Sequence, residues 1–140
     1  MEIVLQNRPE DRPRLVQALR DFAREHRLAA TVVQVADLAL EEHLTNIMNY
    51  GYEDGRVHEI RVRLALEGES LAIEVEDDGK PFDPLQRPPP DTTIPLEARP
   101  IGGLGIHLIR KSMDEVRYRR ERDKNILSMR KRLPGPAPVG

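Results

Sequence analysis

Residues 39–52 read ALEEHLTNIMNYGY, the second half of a longer stretch whose apolar residues recur at helical spacing. Glu42 stands four residues before Asn46, so at about 100° per residue both side chains project from one face of a helix. The apolar residues form one arc of that helix: Val32, Val33, Val35, Ala36, Ala39, Leu40, Leu44 and Ile47. Glu42 and Asn46 lie at the edge of the arc, where a carboxylate and an amide need polar partners. We interpret that partner as a metal-bound phosphate.

Composition limits the class of protein. A chain of 140 residues with 39% hydrophobic content predicts one domain with one core, which we assign to residues 1–133, followed by a disordered tail at 134–140. The formal net charge of −2 is too small for overall electrostatic attraction to nucleic acid or to a membrane. The absence of cysteine excludes disulfides and thiolate metal sites. No apolar run approaches roughly 18 residues and the N-terminus is charged, so we expect a cytoplasmic protein without a signal peptide.

The segments around this helix have their own local signals. Residues 2–6 predict a short strand. Residues 12–26 predict an amphipathic helix. Thr31 is a suitable N-cap for the next helix, and Gly51 is expected to end it in a left-handed conformation.

Alternating residues predict the strands. Apolar and polar side chains alternate in residues 58–66 and 71–76, and residues 67–70 predict the hairpin turn between them. Residues 115–120 and 125–132 predict two final strands. Two helices followed by such strands indicate an α+β fold. We expect a two-layer α/β sandwich with a mixed, mostly antiparallel sheet and helices on one face.

Two loops carry chemical signals that are ambiguous when taken singly. The glycine turn in residues 101–112 (IGGLGIHLIRKS) opens a helix, so its N–H groups and the helix dipole would cradle an anion, although a simple tight turn is the alternative. Asp77 follows a predicted strand and would accept a hydrogen bond from an exocyclic amine such as adenine N6, with Gly79 allowing the ring close to the backbone. The alternative is an ordinary turn. The proline-rich residues 85–100 between them are typical of a binding-site lid.

The order of these segments is more specific than any one of them. Glu-x-x-x-Asn on a helix, Asp-x-Gly after a strand, a long loop and Gly-x-Gly opening a helix together resemble the Bergerat ATP-binding fold of the GHKL superfamily, which includes gyrase-type ATPases, histidine kinases and heat-shock chaperones. The segments EEHLTNIMNYGY, DDGKPFDP and GGLGIHLIRKSMDEVRY are similar, more narrowly, to the anti-sigma-factor serine kinases.

The resemblance implies a role for each matching residue. Glu42 would be the general base that acts on the attacking hydroxyl, and Asn46 would coordinate the Mg²⁺ that bridges the ATP phosphates. Asp77 would bind adenine, with Gly79 as its companion glycine. Gly103, Leu104 and Gly105 would form the phosphate loop, and Arg99 would contact the γ-phosphate. Tyr50 would flank the phosphates or the ribose.

Three positions depart from the family pattern. Pro81 replaces a second glycine, and Tyr50 replaces a frequent histidine. A late-strand threonine that supports adenine corresponds to Ile126, with Ser128 as a possible substitute. His43 is expected to be a packed, hydrogen-bonded core histidine, since the alternative of a phosphoacceptor histidine would need an exposed side chain.

The resemblance implies a serine/threonine protein kinase that uses ATP and Mg²⁺ to phosphorylate a small anti-sigma-factor antagonist. A sigma factor or another regulated protein would be a second partner, a homodimer is possible, and neither nucleic acid nor membrane would be bound directly. The alternative function is a nucleotide-dependent switch that sequesters or activates a partner without phosphotransfer. A detached histidine-kinase domain is disfavoured because the region after Asp77 lacks the second signature of those enzymes.

Overall fold

The computed structural model describes residues 1–86 and 103–134, with side chains described for all of these except residues 86 and 103–106. The elements in chain order are β1 (Glu2–Gln6), α1 (Arg12–His26), α2 (Ala30–Tyr50), β2 (Glu59–Glu67), β3 (Ser70–Asp77), α3 (Gly103–Ser112), β4 (Glu115–Glu121) and β5 (Lys124–Arg132). Short 3-10 turns occupy Pro9–Asp11 and Pro84–Gln86. Most of the predicted lid and nearly all of the predicted tail lie outside the described residues.

The five strands form one sheet in the order β1-β2-β3-β5-β4. Every strand pairing in the described residues is antiparallel, so the expected mixed sheet is corrected to an antiparallel one. The two-residue turn between β2 and β3 was predicted correctly, and Gly68 takes a positive φ of 60° there. The last strand, β5, returns between β3 and β4, which brings the end of β3 beside the start of β5.

The strand register places the apolar side chains on one face of the sheet. Val75, for example, faces Val62 on one side and Leu127 on the other. These side chains form one buried cluster with the inward faces of α1 and α2, including Leu15, Leu19, Phe22, Leu40, Leu44, Ile60, Leu64, Leu71, Ile73 and Met129. Burying each such large side chain contributes roughly 1.5–3 kcal/mol. The opposite face is charged, and Arg63 there pairs with Glu74 at 2.7 Å. The predicted two-layer α+β fold is therefore confirmed.

Both predicted caps of α2 were wrong. The helix begins at Ala30, because the carbonyl of Ala29 accepts hydrogen bonds from the N–H groups of Val32 and Val33, and no side chain caps this end. Gly51 ends the helix with a φ of −79°, which is right-handed. Glycine is required there for space instead, since an added Cβ would lie 2.7 Å from the carbonyl oxygen of Ile47. Within residues 1–86 and 103–134, no helix has the length and hydropathy needed to span a bilayer.

His58 connects the loop after α2 to the end of β3. Its ring stacks on Tyr52 with centroids 4.2 Å apart. Its Nε2 lies 2.8 Å from an Asp54 carboxylate oxygen, and its Nδ1 lies 3.2 Å from an Asp78 oxygen. The hydrogen bond with Asp54, followed by that with Asp78, raises the pKa of His58 above 6.5, while partial burial opposes the shift.

This geometry predicts a pH-dependent contribution to stability. Because the folded-state pKa of His58 is raised, its contribution is fully present below the unfolded pKa near 6.5 and is lost as pH rises through the folded pKa. We expect the wild type to lose more free energy of unfolding than His58→Gln between pH 6 and pH 8.5 in urea titrations. His26→Gln, at the exposed end of α1, is the matched control. Parallel pH profiles for the wild type and His58→Gln would contradict the prediction.

Candidate functional site

One row of side chains near the end of α2 lines a pocket at the end of β3, and a second row lies next to it around the helix. His43, Ile47 and Gly51 are spaced four residues apart, so they lie on one side of the helix, and all three line a pocket with Asp77. Glu42, Asn46 and Tyr50 form the neighbouring row, one residue earlier at each position. The predicted acid and amide of α2 thus lie about 100° around the helix from the row that lines the pocket with Asp77.

Asp77 is the last residue of β3 and is 4% exposed. Its Oδ1 accepts hydrogen bonds from the Gly79 N–H at 2.9 Å and from Asn125 Nδ2 at 3.0 Å. Within the described parts of the chain, no group donates to Oδ2. Burial raises the pKa of Asp77, and the two hydrogen bonds oppose that shift. The carboxylate is thus held in one orientation with an oxygen available for a ligand that carries a donor, such as an exocyclic amine.

Gly79 joins the two elements that carry the site. A Cβ at this position would lie 2.7 Å from the carbonyl oxygen of Gly51 and 2.9 Å from Asp77 Oδ1. The same Gly51 carbonyl accepts a hydrogen bond from the Lys80 N–H at 3.0 Å. The absent side chain lets the end of α2 approach the turn after β3, a role that the sequence did not predict.

We expect Gly79→Ala to lower the free energy of unfolding by about 3 kcal/mol, because the added methyl meets backbone atoms that cannot move independently. The same change should weaken nucleotide binding by separating α2 from Asp77. Gly55→Ala is the control: Gly55 has a φ of 67° but no atom within 4 Å of an added Cβ. Its cost should be only about 1 kcal/mol of backbone strain, with nucleotide affinity unchanged. Equal nucleotide affinity of the two variants would contradict this role for Gly79.

Asn125, the second residue of β5, lines the same pocket and was not among the residues that the sequence pointed to. Its Nδ2 donates to Asp77 Oδ1 and to the Lys80 carbonyl at 2.9 Å. Its Oδ1 accepts from the Tyr118 hydroxyl at 2.6 Å and from Arg120 Nη1 at 3.1 Å. Hydrogen bonds to both its NH₂ group and its oxygen therefore fix the orientation of the Asn125 amide, and the NH₂ group points at the Asp77 carboxylate.

Asn125 is close in sequence to Ile126, the position of the family's late-strand threonine, and to its possible substitute Ser128. Asn125 lies opposite Asp77 in the β3–β5 register, whereas Ile126 pairs with Glu76 and Ser128 with Glu74 on the other face of the sheet. The alternation of β5 could have pointed to Asn125, because its side chain is on the same face of the sheet as the buried Leu127 and Met129, whereas Ile126 and Ser128 are on the other face.

The pocket is narrow in this state. The lining comprises His43, Ile47, Gly51, Asp77, Lys80, Phe82, Tyr118, Asn125 and Leu127. Its enclosed volume is about 10 Å³, enough for one water molecule. Tyr50 stacks on Phe82 at the rim, with ring centroids 6.2 Å apart. A purine is larger than this space and would need a wider pocket.

Asn46 is 3% exposed, and Glu42 beside it is half-buried. Among the described residues, neither side chain has a hydrogen-bond partner. An amide oxygen is a hard ligand that suits Mg²⁺, which keeps several waters and takes further oxygens from substrate phosphates. No group of three or more His, Asp or Glu side chains in the described residues is arranged as a metal site. One protein oxygen from Asn46, with phosphates and waters as the other ligands, fits this donor set.

The predicted phosphate-loop residues open α3. Gly103, Leu104 and Gly105 are its first three residues, and α3 packs against α2. The first N–H groups of a helix have no partner within the helix, so they are available to an anion. Ile109 and Met113 are buried and attach α3 to the core. Arg99, the predicted γ-phosphate ligand, lies outside the described residues.

Comparison with known families gives one match over most of the chain. A family model described as a histidine kinase-like ATPase domain matches residues 5–131. A Bacillus cereus protein named serine-protein kinase RsbW is 34% identical over 94 residues, which are 64% of this chain and 58% of that protein. The same name and figures hold for a relative from Bacillus thuringiensis subsp. konkukian. The matched region thus spans less than two thirds of the length of these relatives.

Solved structures share the fold at lower identity. The structure of the RsbU and RsbW domains of Rv1364c from Mycobacterium tuberculosis aligns with a TM-score of 0.68 and 16% identity, over 98% of this chain and 32% of that chain. The histidine kinase domain of the Erythrobacter litoralis EL346 blue-light activated histidine kinase aligns with a TM-score of 0.51 and 21% identity, over 74% of this chain and 45% of that chain. At these identities the two alignments demonstrate the fold alone.

Proposed function

Since the chain belongs to the histidine kinase-like ATPase domain family, as its motifs predicted, we propose that it binds ATP between α2 and the end of β3. We further propose that it transfers the γ-phosphoryl group to a serine or threonine of a small anti-sigma-factor antagonist. The observation that carries the proposal is the pocket between α2 and the buried carboxylate of Asp77, with Glu42 and Asn46 each one residue before a pocket-lining residue of α2. The Asp77 carboxylate suits a base that carries an amine, and Asn46 suits a metal-bound phosphate.

The base end of the site depends on Asp77. Its Oδ2 would accept a hydrogen bond from the adenine N6 amine, while Gly79 and Asn125 hold Oδ1. A hydrogen bond to an ionised, buried carboxylate contributes about 1.5–3 kcal/mol. This end of the site selects the nucleotide and fixes its position along α2.

The phosphate end depends on Asn46 and the start of α3. Asn46 would hold Mg²⁺ through its amide oxygen, and the ion, when bound, supplies positive charge that offsets the charge of the phosphates. The N–H groups at Gly103, Leu104 and Gly105 would hold phosphate oxygens, with Arg99 directed at the γ-phosphate and Tyr50 beside the phosphates or ribose. These residues orient the phosphate chain and exclude water.

Glu42 would act on the attacking group. A substrate serine or threonine hydroxyl that enters beside Asn46 would donate its proton to the Glu42 carboxylate as its oxygen bonds to the γ-phosphorus. The bond from that phosphorus to the β–γ bridging oxygen breaks, and ADP leaves with the electron pair.

The partners belong to the same proposal. The curated relatives carry the name serine-protein kinase, which supports kinase activity for the family in general. An anti-sigma-factor antagonist as substrate, a sigma factor as the sequestered protein, a homodimeric state and a cytoplasmic location are what the family resemblance adds for this chain.

Incubation with ATP and an anti-sigma-factor antagonist encoded nearby tests the proposal. With γ-labelled ATP, we expect label on a serine or threonine of the antagonist, and with α-labelled ATP, no label on it. Nucleotide-dependent binding of a partner without label would favour the switch function instead. Absence of ATP binding in titration calorimetry with Mg²⁺ would refute both functions.

A further inference from the structure

His43 is a buried polar residue that the proposed chemistry leaves without a role. It is 4% exposed, and it lines the pocket together with Asp77 and Asn125. Among the side chains that the structure describes, His43 Nδ1 is the only fully buried nitrogen or oxygen without a hydrogen-bond partner. The expectation of a hydrogen-bonded core histidine is therefore wrong in this respect.

An unpaired polar atom at this depth has a cost. Leaving a buried donor or acceptor unsatisfied costs roughly 1–3 kcal/mol, and an aliphatic side chain would fill the same space without that cost. Burial also lowers the pKa of His43 to about 4. The imidazole is therefore neutral at physiological pH, with one ring nitrogen as a donor and the other as an acceptor.

The pocket combines this neutral imidazole with a carboxylate acceptor. Adenine presents its N6 amine, a donor, directly between two acceptors, N1 and N7. Asp77 supplies the acceptor for the amine, and an imidazole N–H in the same pocket supplies a donor for an adjoining ring nitrogen. Guanine has an oxygen acceptor at position 6, which the Asp77 carboxylate would repel.

We propose that His43 is a nucleobase-contacting residue, which donates a hydrogen bond to N1 or N7 of the adenine whose amine is bound by Asp77. This inference rests on the proposed ATP site, and it adds a second point of base recognition to that site. His43 Nδ1, which has no partner in the free protein, gains a hydrogen bond when the nucleotide binds.

Titration calorimetry with three nucleotides tests the proposal in the intact protein: ATP, 1-deaza-ATP and 7-deaza-ATP, each with Mg²⁺. One deaza analogue lacks the ring nitrogen that His43 contacts. We expect the wild type to bind that analogue about tenfold more weakly than ATP, and His43→Leu to bind ATP and that analogue with equal affinity. The control His26→Leu, which removes an exposed histidine of α1, should retain the wild-type preference.

The outcomes separate the inference from the function on which it rests. If the wild type does not bind ATP, the proposed function fails. If the wild type binds ATP but the deaza preference persists in His43→Leu, or is absent from the wild type, the His43 assignment is wrong. If His43→Leu does not fold, the ¹⁵N NMR signals of the His43 imidazole in the wild type provide the test. We expect one of them to shift on addition of ATP, and unchanged signals would overturn the proposal.

Discussion

Glu42→Gln is expected to reduce phosphoryl transfer to the antagonist by about 10²–10⁴-fold, the range over which a general base contributes. Glutamine keeps the size of the side chain but cannot take up the hydroxyl proton. Because Glu42 has no hydrogen-bonded side-chain partner among the described residues, the substitution should leave ATP affinity and the free energy of unfolding close to wild type. Single-turnover transfer from labelled ATP measures the rate, calorimetry measures the affinity, and urea unfolding measures the stability.

The adjacent acid provides a matched control for this variant. Glu41 points away from the site, is exposed, and pairs with Arg12 at 2.9 Å. Glu41→Gln removes the same charge from the same turn of α2, so it should transfer phosphate at the wild-type rate. A normal rate in Glu42→Gln would show that the base is assigned to the wrong residue, and equal losses in both variants would indicate a general charge effect.

Asp77→Asn is expected to weaken ATP binding by about 100-fold without lowering stability. The asparagine oxygen can still accept from Gly79 and Asn125, but its NH₂ group replaces the acceptor oxygen and faces the adenine amine, donor against donor. Loss of a hydrogen bond to a charged group costs about 1.5–3 kcal/mol, and the mismatch adds to it. Asp78→Asn, on the exposed neighbour that accepts from Tyr52 and lies beside His58, is the control for ATP affinity. Retained affinity in Asp77→Asn would remove the base-binding role from Asp77.

The difference in free energy of unfolding between Asp77→Asn and the wild type should depend on pH. Burial raises the folded-state pKa of Asp77 above 3.8. In the window between 3.8 and the folded pKa the folded state holds more protons, so this group's contribution falls as pH rises through that window. Asp77→Asn lacks this ionisation. We therefore expect the stability of the variant, relative to wild type, to be greater at pH 7 than at pH 4 in urea unfolding. The opposite order would contradict a dominant effect of burial on this carboxyl.

Short-range patterns were sufficient for most of the fold. The bounds of β1 and α1 were predicted to the residue, and the other strands to within one residue at each end. These features follow from the period of the helix and of the strand, which depend on neighbours along the chain. The motif order likewise identified the family, since the spacings of Glu42–Asn46 and Asp77–Gly79 are properties of the chain itself.

Other features became apparent only when distant segments met. Asn125 lies beside Asp77 because β5 pairs with β3 across 48 positions of sequence, and a register displaced by one residue would have placed Ile126 there instead. Gly79 is needed because the turn after β3 contacts the carbonyl of Gly51. His43 is polar, buried and unpaired because of what surrounds it in three dimensions. Local sequence determines which face a side chain occupies, whereas the side chains opposite it depend on strand pairing and helix packing.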